Sequence, residues 1–325
     1  MALYQFIDTS HHKGLITGQE LANLGHRLRI AKASDNYHMP DKNGVFDFAA
    51  DRHYDAWFVD SVKSDREAGL VWIGYHFARF DRPLPLSNRT QIVQKNLDYF
   101  LIALHMLVDA GVLTEAQFKA LPCAVLDMEQ DAGQLRNAGF TPKDANINAM
   151  AKDMVKLYLT RFKNLVLYSG SWWTDEWLSP ETTQWMAERV TVWEPEYKDT
   201  NAVFYPLNPD YKPSVPKGFQ NTYAQSASDI VGKMIAWQYT NKGRIPGHNT
   251  AIDMNLTQMP KEEWYKLTGI DGAVDPPPPP PIDPPPPDCT VQVKNAKIAT
   301  YNDAIRETRE LLLDFIAKRD ALKEE

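Results

Sequence analysis

The stretch Cys123-Ala-Val-Leu-Asp-Met-Glu129 places two carboxylates at the end of an apolar run. Side chains alternate faces along a strand, so Asp127 and Glu129 point the same way, about 7 Å apart at Cα. Two carboxylates on one face are costly unless solvated, hydrogen-bonded or functional. Two other runs end alike: Tyr4-Gln-Phe-Ile-Asp8, and Ala251-Ile-Asp253 with Asn255 on the same face. If the chain closes into a barrel, Asp8 in the first strand and Asp253 in the last become neighbours across the closure. Asp8, Asp127, Glu129 and Asp253 could then converge on one mouth. None of these motifs carries a Lys or Arg, so at least one pKa is expected to rise. A general acid needs that to keep its proton near neutral pH.

Aromatic residues accompany the same motifs: Tyr75-His-Phe77, Tyr168 with Trp172 and Trp173, Trp193 with Tyr197, and Trp237 with Tyr239. Rings with hydrogen-bonding tips suit the apolar faces and hydroxyls of a sugar. Trp172 and Trp173 are adjacent, after Ser169-Gly170, and one of them is expected to be exposed. His11-His12, His76 and His248 have no ligand-spaced partner of the H-E-x-x-H kind, so no metal is expected. His12 and His76 lie in motifs near the mouth and are expected to bond a carboxylate or a sugar. Cys123 opens a strand and reads as buried and inert. Gly-rich phosphate loops are absent, so neither a nucleotide nor any other cofactor is called for.

The elements that must position these groups follow from periodicity. Eight short apolar runs read as strands: Tyr4–Ile7, Leu28–Ala31, Val71–Tyr75, Ala124–Leu126, Leu165–Tyr168, Val190–Trp193, Met234–Trp237 and Thr250–Asp253. Helical patterns fall between several of them, over Tyr54–Ala68, Arg89–Asp109, Thr141–Phe162 and Glu181–Ala187. Strands alternating with helices predict an α/β fold with a parallel sheet, and eight strands suit a barrel of TIM type. The stretch Glu194–Ser228 has little periodicity and reads as long loops. The 325 residues carry 35 Lys and Arg against 42 Asp and Glu, a net charge of −7. That balance lacks the basic footprint of a nucleic-acid binder. No apolar run reaches the ~20 residues that span a membrane, and the first residues read as a strand rather than a signal peptide. Synthesis in the cytoplasm is expected, with release by another agent if the protein acts outside.

Asp275 to Asp288, DPPPPPPIDPPPPD, reads as a semi-rigid polyproline spacer. Beyond it, Ile298, Tyr301, Ile305, Thr308, Leu312, Phe315, Arg319 and Leu322 recur at spacings of three and four, a heptad-like seam on one helix. Such a helix is marginal alone and is expected to pair with itself, the barrel or another protein, a virion component included. The domain reading is therefore 1–272 barrel, 273–288 linker and 289–325 helix.

The ordered motifs resemble glycoside hydrolase family 25, the Chalaropsis-type lysozymes found among phage endolysins and bacterial autolysins. The matching pieces are Ile7-Asp-Thr-Ser10, Ile30-Ala-Lys-Ala-Ser-Asp35, Asp55-Ala-Trp-Phe58 with Ala68-Gly69, and Gly74-Tyr-His-Phe-Ala78. They continue through Leu126-Asp-Met-Glu129, Leu167-Tyr168, Trp193 to Tyr197, Ala236-Trp-Gln-Tyr239, and Ile245-Pro-Gly247 leading to Ile252-Asp-Met-Asn255. Asp35 stands where the family usually has Glu, and Asn36–Ala50 is an extra stretch. The resemblance implies an irregular (β/α)5(β)3 barrel that cleaves the β-1,4 bond between N-acetylmuramic acid and N-acetylglucosamine in bacterial peptidoglycan with retention. By position Glu129 matches the acid that protonates the leaving oxygen, Asp127 the second carboxylate, and Asp8 and Asp253 the flanking acids. Tyr75, Phe77, Asp35, Tyr168, Trp193, Tyr197, Trp237 and Asn255 are the expected sugar contacts. Whether Asp127 attacks covalently or steadies an oxazolinium formed by the substrate stays open. The missing signal peptide fits a phage lysis or virion enzyme. The alternatives are a non-catalytic glycan-binding or structural virion protein on the same barrel, or a hydrolase of another glycan.

Overall fold

A computed structural model of the chain describes residues 4–35, 54–81, 89–197 and 233–269. Eight strands close into one barrel in sequence order: β1 (Tyr4–Thr9), β2 (Leu28–Asp35), β3 (Val71–Phe77), β4 (Cys123–Asp127), β5 (Asn164–Tyr168), β6 (Thr191–Pro195), β7 (Lys233–Gly243) and β8 (Ile252–Thr257). Neighbours from β1 to β7 pair in parallel. Strand β8 runs antiparallel to both β7 and β1. Only residues 244–251 join β7 to β8, and a parallel crossover needs a dozen or more residues.

Helices follow the first five strands: α1 (Gly18–Asn23), α2 (Phe58–Glu67), α3 (Arg89–Asp109), α4 (Glu115–Ala120), α5 (Ala132–Asn137), α6 (Ala145–Arg161), α7 (Ser171–Trp177) and α8 (Pro180–Ala187). The last, α9 (Lys261–Thr268), follows β8. This is the expected irregular (β/α)5(β)3 barrel. Every strand-like run overlaps a strand, although β8 starts two residues later than the run Thr250–Asp253 and extends to Thr257. Helix α2 starts later than its pattern, because Tyr54 bridges to Ser34 and the Asp55 carboxylate accepts the backbone N–H of Trp57 at 2.9 Å, holding Asp55–Trp57 in a turn. The short helices α1, α4, α5, α7 and α9 go beyond the helical patterns of the sequence; six to eight residues show too few turns for a period. Caps mark some of them instead: Thr17 with Glu20 and Thr114 with Gln117 each form a reciprocal capping box.

Strand alternation sorts the side chains into two apolar layers. Phe6, Ile30, Ile73, Val125, Val166 and Trp193 fill the barrel interior. Ala31, Trp72, Leu126, Leu167 and Val192 face outward and pack with the helices through Phe58, Leu104, Met154 and Tyr158. Asp8, two residues from Phe6, and Asp127, two from Val125, therefore belong to the interior set. His76 belongs to the outer set. It is fully buried, bonding Ser34 at 2.8 Å and Asn96 at 2.9 Å. This corrects its expected place at the mouth. Burial also lowers its pKa to about 4, so it stays neutral. Cys123 is buried as expected, and burial pushes its thiol up to about 12. The proline spacer and the tail helix lie outside the described residues. No helix among the described residues is long and apolar enough to cross a membrane.

Candidate active site

A cavity of about 240 Å³ opens where the parallel strands end and β8 begins. Its walls carry Asp8 (β1), Tyr75 (β3), Asp127 and Glu129 (β4 and the residue pair after it), Tyr168 (β5), Trp193 and Tyr197 (β6 and its sequel), Gln238 (β7) and Asp253 (β8). All four acidic residues of the sequence motifs thus meet. Asp8 and Asp253 are direct register partners across the barrel closure. A larger cavity, about 480 Å³, lies at the opposite end of the barrel around Phe6, Leu28, Val71 and Trp264, with Glu262 its single acid.

Hydrogen bonding orders the site around Asp8. Its Oδ1 accepts from Asn255 Nδ2 and from Gln238 Nε2, both at 2.8 Å. Asn255 Oδ1 in turn accepts from the Trp193 indole N–H at 2.8 Å. An indole nitrogen only donates, so the Asn255 amide has one possible orientation and must donate to Asp8. Gln238 Oε1 accepts from the Tyr168 hydroxyl at 2.8 Å and from the Tyr197 hydroxyl. With Oδ1 holding two donors, any proton on Asp8 belongs to Oδ2.

Two lysines outside the acid-bearing motifs act on the acids. Lys13, in a 3-10 turn after β1, lies 3.1 Å from Asp253 Oδ2 and lines the cavity. Lys32 on β2 opposes part of the pKa rise at Asp127 and Glu129. Burial still dominates. It raises Asp8 to about 8, with the Asp253 charge second and the two amides and Lys13 pulling back. It raises Glu129 to about 7, again with Asp253 adding. Asp127 is pushed well above the carboxylate range by burial and then by Glu129. Its Oδ1 is buried without a hydrogen-bond partner. Asp253 also rises on burial, with Lys13 opposing.

The other expected sugar contacts stand back from the cavity. Asp35 ends β2 with its carboxylate 2.7 Å from Lys32 Nζ. Phe77, between Asp35 and Asp127 in the sheet register, has Lys32 at 5.2 Å and Arg79 at 4.9 Å from its ring centre. Asn255 is buried behind Asp8. Trp237 is buried facing away, its indole donating to the Glu196 carbonyl at 3.0 Å. Its neighbour Gln238 is the residue of that motif that reaches the site. The signal in the sequence is a lone amide in an apolar strand, one position out of phase with the two rings. Trp173 is buried and Trp172 exposed, as the pair suggests. His11 bonds the Asp55 carboxylate through its backbone N–H at 2.6 Å and through Nδ1 at 2.9 Å. Among the described residues no three His, Cys, Asp or Glu side chains gather as a metal site.

Raised carboxyl pKa values carry a stability consequence. The folded state binds more protons than the unfolded chain between about pH 4 and the raised values, so stability falls as pH rises through that window. Asp8→Asn keeps an oxygen for Gln238 and Asn255 and removes the titration. Its melting temperature should gain on wild type as pH rises from 5 to 8, by about 2 °C for each kcal/mol recovered. An equal offset at both pH values in a thermal-melt series would refute this assignment.

No protein-family model and no curated protein matches the chain by sequence. Solved structures do match it by shape. A bacterial lysozyme from Streptomyces coelicolor is 20% identical, with a TM-score of 0.52 over 83% of this chain and 98% of that one. A muramidase from Acremonium alcalophilum is 16% identical, with a TM-score of 0.50 over 82% of this chain and 100% of that one. A family GH25 lysozyme from Aspergillus fumigatus is 16% identical, with a TM-score of 0.50 over 82% of this chain and 99% of that one. The chain is built on the barrel fold of these lysozymes and this muramidase, the fold of the family GH25 lysozyme among them.

Proposed function

We propose that the barrel is a peptidoglycan hydrolase, an N-acetylmuramidase that cleaves the β-1,4 bond between N-acetylmuramic acid and N-acetylglucosamine. The observation that carries the reading is the gathering of Asp8, Asp127, Glu129 and Asp253 in one aromatic-lined cavity, with Glu129 raised to about 7. Likeness of fold to lysozymes adds to it. Glycoside hydrolysis needs a carboxylic acid that gives its proton to the leaving oxygen and a second carboxyl group that steadies the positive charge growing at the anomeric carbon. Glu129 suits the first role, because burial and the Asp253 charge raise it to about 7, so that it still holds its proton just below neutral pH, and it borders the cavity. Asp127 suits the second by position: burial raises its pKa before the reaction, and the positive charge growing beside it favours its ionised form. Its unpartnered, buried Oδ1 is an acceptor for a substrate N–H, such as that of a 2-acetamido group. That contact fits the substrate-assisted route, in which the acetamido oxygen attacks the anomeric carbon and Asp127 holds its N–H. Both this route and a covalent one would retain configuration.

In this scheme Asp8, clamped by Gln238 and Asn255, keeps its proton on Oδ2 and offers it as a hydrogen bond. Asp253 stays anionic beside Lys13. Tyr168, Trp193 and Tyr197 form the sugar-facing wall. The protein's place of work would be the bacterial cell wall.

The test is digestion of purified peptidoglycan, borohydride reduction and mass spectrometry of the products. Muropeptides ending in reduced N-acetylmuramic acid are expected. Ends in reduced N-acetylglucosamine would mean cleavage of the other bond. No release across wall types and pH would leave a binding or structural barrel instead. The pH profile supplies a second check. The Asp253 charge is the largest electrostatic contribution to the Glu129 rise, so Asp253→Asn should move the alkaline limb of kcat/KM to lower pH. An unmoved or alkaline-shifted limb in the residual activity of this variant would separate the two carboxylates.

A further inference from the structure

Five large apolar side chains stand exposed among the described residues, and Trp57, Trp172 and Tyr197 are three of them. All three sit at the cavity end of the barrel. Trp57 follows Asp55, whose backbone N–H donates to the Ala33 carbonyl near the end of β2. Trp172 follows β5, and Tyr197 follows β6. Tyr197 lines the cavity; Trp172, 54% exposed, lies outside it.

The Trp172 indole lies against the backbone although it is exposed. It folds back on Gly170, where a Cβ would collide with the indole nitrogen. Gly170 has φ −78°, a conformation open to any residue, so the glycine supplies space for the ring. The segments on either side are pinned to the strand that bears the acids. The Ser169 hydroxyl donates at 2.6 Å to the carbonyl of Met128, between Asp127 and Glu129. The Trp173 indole donates at 2.9 Å to the carbonyl of Gln130, next after Glu129. From Tyr168, whose ring lines the cavity, Gly170 is two Cα steps away, at most about 7.6 Å. A cavity of about 240 Å³ is below the ~300 Å³ of ordinary ligand pockets, so a polymer entering it leaves neighbouring units on the rim.

We propose that Trp172 is the stacking platform of a further sugar subsite on the β5 side of the mouth. It takes the apolar face of an N-acetylhexosamine ring in a glycan strand whose reacting unit occupies the cavity. This rests on the muramidase reading. It adds a subsite beyond the sugar contacts that the family resemblance implies, and it makes long strands better substrates than the cavity alone would.

The test uses the full chain and purified peptidoglycan. Trp172→Ala should raise KM about tenfold, the loss expected for one aromatic stacking contact, with kcat kept. Trp172→Phe should recover most of it. A Glu129→Gln/Trp172→Ala chain should cosediment with insoluble peptidoglycan correspondingly less than Glu129→Gln alone. Because the ring is exposed, the melting temperatures of these variants should match their parents. An active wild type with unchanged KM and unchanged cosedimentation in the Trp172→Ala variants overturns the platform and leaves the muramidase reading standing. A wild type that neither cleaves nor binds peptidoglycan removes both.

Discussion

Glu129→Gln should lower kcat on peptidoglycan by about a thousandfold, within the 10²–10⁴ contributed by a positioned general acid, while KM changes little. The amide keeps the size of the side chain and its place at the cavity but has no acidic proton to give. Departure of the sugar alkoxide then falls to water, which has no fixed position near the bond. The loss should be nearly independent of pH below about 6, because wild-type Glu129 is protonated there. It should narrow above pH 7, where the wild type loses its own proton. Folding should not suffer. A raised carboxyl pKa weakens the native state as pH rises through the raised value, so the glutamine chain should melt at or above wild type at pH 8. Initial rates of reducing-end release, with a melt on the same sample, decide the matter. Full activity in this variant would end the role given to Glu129, and a lower melting temperature would mean that the loss reflects unfolding.

The parts of this site that are legible in the sequence are those carried by strand alternation. An acid two residues after an apolar side chain in a strand shares its face, which turns Asp8 and Asp127 inward, and closure of the barrel then sets Asp253 beside Asp8. The same rule applied to Trp237 points to Gln238: the ring faces away from the cavity, so its neighbour must face in. Aromaticity there signals packing rather than a ligand. His76 is the parallel case, because a polar residue between Tyr75 and Phe77 lies at their end of the barrel while alternation turns it toward α3 and α6. Lys13 is out of reach for another reason. It comes from a turn, where no period relates a residue to the strand face, and its approach to Asp253 depends on closure between the two ends of the barrel sequence. The short helices are illegible because each buries a few residues at most, and capping side chains such as Thr17 and Thr114 are the only local trace.

A second large effect is expected away from the cavity, at Arg29. Alternation turns this residue outward from β2 into the helix layer, where its Nη2 lies 2.6 Å from Asp65 Oδ1 on α2 and its Nη1 donates to the Ser61 hydroxyl at 3.1 Å. Both charged side chains are wholly buried, and Arg29 Nε and Asp65 Oδ2 have no partner. Room for the pair is tight. The start of α1 closes over it so nearly that a Cβ on Gly18 would strike the Ser64 carbonyl, and the Gly18 N–H donates to Ser64 Oγ at 2.6 Å. Burial raises Asp65 to about 7 in spite of the arginine, a sign that desolvation outweighs the attraction. Arg29→Met should therefore cost about 3–5 kcal/mol, the penalty for leaving one buried charge without its partner. Asp65 can escape part of that cost by taking a proton, and without Arg29 its pKa must climb further. The variant then binds a proton that wild type has released above pH 7, so the destabilisation should grow with pH beyond that point. Arg29→Met/Asp65→Leu should restore most of the stability and remove the pH dependence, since replacing a buried ion pair by apolar side chains is often neutral or stabilising. Urea unfolding at pH 6 and pH 8.5 separates these cases. A single variant as stable as wild type would show that buried Asp65 needs no partner, and a double variant weaker than the single would show that the pair holds β2 and α2 together by more than mutual compensation of two buried charges.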